Sequence, residues 1–261
     1  MDQKIVNFVK KVVPHDIRIF FRKLNWKRHY ILQNLFQAQK PKVYCPIAKR
    51  EFKAFVRLQN ELITPTNGAR ARQRLVWHFI ENKLAILNRN AKLLHVAPEH
   101  AFYQVFKNQK NLTYVAGDKM VDGYSNQKGV QNIDLTKLSF PDNEFDFVLC
   151  NHVLEHIPDD GAAMSEIYRV LKSQGTAIIT VPINESFEKT YENPSITSPK
   201  DRKEHFGQWD HVRWYAPDIK DRLEKHGFTV EMNRYGKEFS TEAFERFGFC
   251  NDIIVVAHKK P

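Results

Sequence analysis

From about residue 90 onward, short apolar runs alternate with stretches whose apolar positions recur every three to four residues. The runs at 92–97, 111–116, 130–135, 145–150 and 176–182 read as strands. The last of them, TAIITVP, is apolar almost throughout, the pattern of a strand covered on both faces of a parallel sheet. Between the strands, helices are expected near 100–108 and over 160–172. In the second, Ala163, Ile167, Val170 and Leu171 fall at i, i+4, i+7 and i+8 ahead of a stop at Gly175. A helix around 217–226 and strands at 229–233 and 252–258 complete the series. Seven strands in alternation with helices predict a doubly wound, mostly parallel α/β sheet, whose ligand lies beyond the carboxyl ends of the strands.

The first 89 residues follow a different pattern. Ile5, Val9 and Val12, then Ile17, Phe20, Phe21, Leu24, Tyr30 and Ile31, recur at helical intervals around Pro14, which predicts two short amphipathic helices. A short strand and turn are expected over 43–56. A helix over 69–87 would place Leu75, Val76, Phe79, Ile80 and Leu84 on one face. The chain thus divides into a helical arm (1–42), an accessory segment (43–89) and an α/β domain (90–261).

Charge changes the picture of the arm. The 261 residues carry a net +10, of which residues 1–42 supply +8 from ten Lys and Arg against Asp2 and Asp16. The remainder is nearly balanced, so a basic partner surface belongs to the arm alone. Two readings compete: the apolar stripe packs on the body with its charges solvated, or the arm makes a weak contact with anionic membrane or nucleic acid. Docking is the commoner use of an amphipathic helix and is the expected one here. No apolar run reaches membrane-spanning length and no leader pattern opens the chain. The three cysteines, Cys45, Cys150 and Cys250, are far apart and form no disulfide framework. A cytoplasmic protein is expected, peripheral to the membrane if the arm engages lipid.

Residues 140–182, FPDNEFDFVLCNHVLEHIPDDGAAMSEIYRVLKSQGTAIITVP, hold the densest pattern. An apolar-Pro-Asp turn (Leu138 to Asp142), an FD-initiated strand, a VLEH turn, a helix ending Arg169-Val170-Leu171-Lys172 and a further apolar strand follow at fixed spacings. This stretch resembles the class I S-adenosylmethionine-dependent methyltransferases of the type 11 group. The resemblance implies a Rossmann-like methyltransferase sheet with S-adenosyl-L-methionine as cofactor. Carboxylates at strand ends suit the donor's ribose hydroxyls and adenine amino group, which donate hydrogen bonds. By position, Asp118 corresponds to the ribose-binding acid and Asp134 to the acid facing adenine, with Leu135 as apolar neighbour. Asn151 and His152 would line the cleft beside the sulfonium. As plain residues, the two acids also suit helix caps or solvated turns.

Two stretches depart from the family pattern. After the first strand, members carry an acid and a glycine-rich turn; here the sequence is Leu94-His95-Val96-Ala97-Pro98-Glu99-His100, without glycine. It resembles a subgroup with an LHVAPE-type turn, which implies that Ala97, Pro98 and Glu99 approach the methionine part of the cofactor and that Glu99 accepts its ammonium group. Glu99 also fits a simple helix N-terminal acid. The subgroup often opens with a zinc ribbon. Here only Cys45 of the four ligand positions remains, the others holding Ala48, Thr64 and Asn67, so the segment is expected to be a metal-free relic, with no metal site in the chain.

Residues 183–214 form a long connection with few periodic apolar positions, the mark of an active-site lid. It contains HFGQWDHVRWY, which resembles a segment of the same subgroup. Trp209 would stack on a substrate ring, Asp210 orient His211 as a base, Arg213 bind an acidic group and Tyr215 complete the substrate side. A structural ion pair between Asp210 and Arg213 is the competing reading. Candidate bases are His152, His156 and His211. The expected activity is methyl transfer to a small-molecule or glycan-like acceptor. A non-catalytic methyltransferase-fold ligand-binding protein is the alternative, and a third reading makes the basic arm the means of reaching RNA or a membrane-linked substrate.

Overall fold

The computed structural model describes residues 13–35, 42–58, 61–119 and 129–261. The helix expected over residues 5–12 lies outside them. The central sheet has seven strands: β5 (Ala91–Val96), β6 (Leu112–Asp118), β7 (Val130–Asn132), β8 (Phe145–Asn151), β9 (Leu171–Thr180), β12 (Phe228–Asn233) and β13 (Ile254–Lys259). Their order is β7-β6-β5-β8-β9-β13-β12, all parallel up to β9, with β13 antiparallel to both its neighbours. This is the Rossmann-like methyltransferase sheet. The order reverses between β5 and β8, which creates the crevice where such sheets bind ligands.

Alternate side chains of the same strands feed two cores. On one face Leu94, Val148 and Ile179 pack with Ile167 of helix α4 (Asp160–Val170) and with Ile219 and Leu223 of helix α6 (Ile219–Glu224). On the other, Leu93, Phe147, Leu149 and Ile178 meet Trp77 of helix α2 (Ala71–Phe79) and Phe102 and Phe106 of helix α3 (His100–Phe106). Cys45, Phe52 and Phe55 of the accessory segment belong to this second core, which therefore crosses the boundary at residue 89.

The accessory segment folds as two antiparallel hairpins, β1 (Val43–Cys45) with β2 (Arg50–Phe52) and β3 (Val56–Leu58) with β4 (Glu61–Ile63). At their centre lies Arg74, fully buried. Its guanidinium donates to Phe247 O at 2.8 Å, Leu62 O at 3.1 Å, Ala69 O at 2.7 Å, Gly248 O at 2.6 Å and Thr64 Oγ1 at 3.4 Å. It also stacks on Phe55, 3.8 Å from the ring centroid. Thr64 Oγ1 in turn donates to Cys45 Sγ at 3.3 Å. Cys45 and Thr64 thus sit side by side, with Arg74 bonded to Thr64.

Helix α1 (His15–Asn34) departs from the expected docking of its apolar stripe. Ile17, Phe20, Phe21, Leu24, Ile31, Leu32 and Leu35 are 46–63% exposed. Of the expected stripe Tyr30 docks, edge-on to Phe52; beside it Ile19 is buried and the Gln33 amide pairs with both the N–H and the carbonyl of Arg57. The Trp26 indole occupies the space a side chain on Gly68 would need, and Gly68 has φ +69°, so glycine is required there twice over.

Several boundaries moved. The helix expected over 69–87 is α-helical only to Phe79, widens to a π-turn over Ile80–Leu84 and stops where Ala85 turns left-handed. The helix expected to reach residue 172 ends at Val170, and β9 begins at once at Leu171. The long connection carries its own structure: β10 (Tyr191–Glu192) pairs with β11 (Arg213–Trp214), and helix α5 (Pro199–Phe206) lies between. Helix α7 (Thr241–Phe247) was not expected, because its own residues bury little and its role is to bring the Phe247 and Gly248 carbonyls to Arg74.

Candidate active site

Two adjacent parallel strands end the same way. Ala97 after β5 has φ +48° and His152 after β8 has φ +52°, both in the left-handed region that side chains other than glycine seldom occupy. Each is pinned by a backbone bond across the sheet, Ala97 N–H to Gly117 O and His152 N–H to Thr180 O, both at 2.7 Å. The turn that lacks glycine therefore still makes the left-handed bend, at a cost of about 1 kcal/mol per residue. Both residues line one cleft of about 790 Å³, together with Val96, Asp118, Ile133, Asp134, Leu135, His156, Trp209 and Asp210.

Behind the cleft floor a polar relay crosses the strands. His95, fully buried, bonds Tyr114 Oη through Nδ1 at 2.9 Å and Glu99 Oε2 through Nε2 at 2.7 Å. Glu99 Oε1 accepts from Asn151 Nδ2 at 3.1 Å, and Asn151 Oδ1 accepts from Thr180 Oγ1 at 3.0 Å. Burial alone would raise the Glu99 carboxyl, but the bonds from His95 and Asn151 outweigh it and hold the group below its ordinary value. His95 thus fixes the Glu99 carboxylate beyond the end of β5.

Asp118 and Asp134 line the cleft together with the apolar Ile133 and Leu135. Burial raises the Asp118 carboxyl, offset in part by the Lys119 backbone. Asp134 is held at about 2 by hydrogen bonds from Lys119 Nζ at 2.8 Å and from Thr136 Oγ1 and N at 2.6 and 2.9 Å. Ala97, Leu135 and His152 join them around the cleft; Asn151 and Glu99 support it through the relay, and Pro98 links Ala97 to that relay.

His152 Nδ1 lies 3.1 Å from Glu155 Oε1, and Glu155 is almost wholly buried. His152 Nε2 and Glu155 Oε2 have no hydrogen-bond partner. His156 packs edge-on to His211 with ring centroids 4.7 Å apart. Asp210 does not orient His211. Its carboxylate lies 3.5 Å from His156 Nδ1, whereas His211 Nδ1 faces Phe206 O at 3.2 Å. Desolvation lowers the His211 imidazole, with smaller opposing contributions from Glu155 and Asp210.

Arg213 and Tyr215 do not reach the cleft. Arg213 is 3% exposed and donates to Leu154 O, Ile157 O, Pro158 O and Glu192 Oε2 at 2.5–3.0 Å. Tyr215 donates to Asp160 Oδ2 at 2.7 Å, and Arg222 grips both oxygens of Asp160. Neither substrate binding by Arg213 nor an Asp210–Arg213 ion pair survives this geometry: the guanidinium fastens the connection to the turn after β8. The sequence reading missed Asp160, Arg222 and Glu155. Asp160 and Glu155 stand in the recognised stretch, and their enclosure, invisible in one dimension, is what gives them their roles.

A family model described as a methyltransferase domain matches residues 82–179, the stretch that contains β5, β6, β7, β8 and nearly all of β9. The chain is 30% identical over 66 residues to an uncharacterized methyltransferase, YcgJ, of Bacillus subtilis strain 168, covering 23% of this chain and 26% of that protein. It is 43% identical over 56 residues to the uncharacterized protein MJ0638 of Methanocaldococcus jannaschii, covering 22% of this chain and 24% of that one. The matches thus span about a quarter of the length of these curated relatives. A solved SAM-dependent methyltransferase from Archaeoglobus fulgidus superposes with a TM-score of 0.46 at 18% identity, over 71% of this chain and 93% of that one.

Proposed function

We propose that the protein is an S-adenosylmethionine-dependent methyltransferase whose acceptor is a small molecule or glycan-like compound. The observation that carries this reading is the pair of carboxylates, Asp118 and Asp134, that line one cleft at the strand ends together with Ile133, Leu135 and His152. Asp118 takes the ribose hydroxyls, Asp134 the adenine amino edge, and Ile133 and Leu135 the ring faces; the half-buried Asp118 carboxyl gains most from two donated hydroxyl bonds. The donor supplies an electrophilic methyl group on a sulfonium. Transfer is an in-line displacement, so alignment dominates, and a base is needed only where the acceptor must lose a proton.

His152 serves as that base. Glu155 holds its Nδ1–H, which leaves the buried, unpartnered Nε2 as the free lone pair. Trp209, at the cleft mouth and 37% exposed, offers a face for a sugar or other ring, and Asp210 a hydrogen-bond acceptor beside it. Calorimetric titration of the full chain with S-adenosylhomocysteine tests the reading. Saturable binding weakened at least tenfold, about 1.4 kcal/mol, by Asp118→Ala supports it; no binding contradicts it and favours a fold that has lost the cofactor.

A second reading concerns the arm. Among the described residues, α1 turns Phe20, Phe21 and Leu24 outward beside Arg18, Arg22, Lys23, Lys27 and Arg28, the composition of a helix lying on an anionic membrane. No described helix is long and apolar enough to cross a membrane. Co-sedimentation with phosphatidylserine vesicles that is lost in Phe20→Ser/Phe21→Ser supports lipid; retention on RNA alone, abolished by salt, assigns the arm to nucleic acid instead.

A further inference from the structure

We infer that Glu155, His156 and His211 form a binding site for a single divalent transition-metal ion in the wall of the cleft. One donor atom from each lies within 4.8 Å of the other two. Ligands about 2.0–2.2 Å from a tetrahedral ion sit about 3.4 Å from one another, so small side-chain rotations bring the three to bonding distance.

Their hydrogen bonding already has the arrangement such ligands need. His211 Nδ1 faces Phe206 O and His156 Nδ1 faces the Asp210 carbonyl and carboxylate, which protonates both Nδ1 atoms and leaves the Nε2 lone pairs for a metal. Glu155 is held at Oε1 by His152 while Oε2 is buried without a partner. A carboxylate oxygen enclosed in this way is costly unless a cation answers it. Among the described residues no lysine or arginine pairs with it, and the buried Arg213 is committed to Glu192, Asp160 and three carbonyls.

Two imidazoles and one carboxylate make a borderline donor set that suits Zn²⁺, Fe²⁺ or Mn²⁺ and does not suit Mg²⁺ or Ca²⁺, which take oxygen ligands. Three protein ligands also leave positions open. Because His156 lines the cleft, those positions would take an oxygen donor of the acceptor, a hydroxyl or a vicinal diol; that ligand class rests on the methyltransferase reading, whereas the metal site itself does not.

The test is binding, with neither methyl donor nor acceptor present. Full-length protein stripped with chelator is titrated calorimetrically with Zn²⁺, Mn²⁺ and Mg²⁺. Uptake of about one equivalent of Zn²⁺, weaker for Mn²⁺ and weakest for Mg²⁺, is expected. Glu155→Gln and His211→Gln should each lower Zn²⁺ affinity at least tenfold, and Cys45→Ser should leave it unchanged. If either buried variant fails to fold, His156→Gln, whose side chain is 31% exposed, replaces it. A folded wild type that takes up no Zn²⁺, or variants that bind it as tightly as wild type, would overturn the assignment. Failure to bind S-adenosylhomocysteine in the separate titration would not.

Discussion

Two buried polar centres in this molecule are built on opposite rules. Around Arg74, all three guanidinium nitrogens are engaged by four carbonyls and a hydroxyl drawn from residues 62 to 248. Around Glu155, itself 1% exposed, Glu155 Oε2 and His152 Nε2 are buried with no partner. A saturated centre ties distant chain segments together and has nothing left to offer a ligand. A centre with lone pairs left over is unstable on its own terms and persists where something else completes it. The Asp160 cluster, where Tyr215 and Arg222 use up both carboxylate oxygens, belongs with Arg74.

This contrast yields opposed expectations for substitution. Arg74→Leu strands at least four buried acceptors and should cost roughly 3–5 kcal/mol in urea unfolding, while leaving S-adenosylhomocysteine affinity of the folded fraction within twofold. Asp160→Asn should come next, at roughly 2–4 kcal/mol, since it weakens the Arg222 fork and the Arg213 approach together. Glu155→Gln should do the reverse: a stability change within about 1 kcal/mol, but methyl transfer and metal affinity each reduced at least tenfold. A large stability loss there, with function intact, would erase the distinction between the centres.

Smaller effects sharpen the picture. Phe20→Ser in α1 should shift stability by less than about 0.5 kcal/mol, because Phe20 is 58% exposed. Asp134 provides a pH signature. Its folded carboxyl sits at about 2 against an ordinary 3.8, so its contribution is present above pH 3.8 and fades as pH falls through about 2. Asp134→Asn should flatten the acid limb of the stability curve slightly, solvent screening keeping the effect small.

The sheet was legible because buried parallel strands write themselves as apolar runs, and five of them carry the spacing of a methyltransferase domain. That Asp118 and Asp134 line the cleft was legible for the same reason, as acids at or just past strand ends. What stayed hidden depends on partners remote in sequence. Nothing near Arg74 reveals that its carbonyls arrive from 247 and 248, and Arg213 looked available for substrate until Leu154, Ile157 and Pro158 were seen to claim it. The arm misled for a related reason: both faces of α1 carry large side chains, and of the expected stripe Tyr30 docks, joined by Trp26 and Gln33, while Phe20, Phe21 and Leu24 stay exposed.

The central claim is that the cleft at the strand ends binds the methyl donor while the saturated hairpin core does not take part. Hydrogen–deuterium exchange of the full chain with and without S-adenosylhomocysteine measures both regions at once. Slowed exchange confined to residues 96–101, 117–119, 130–136 and 151–157, with 43–74 unchanged, is the predicted result. No slowing at those strand ends, or slowing centred on the hairpins, would contradict it.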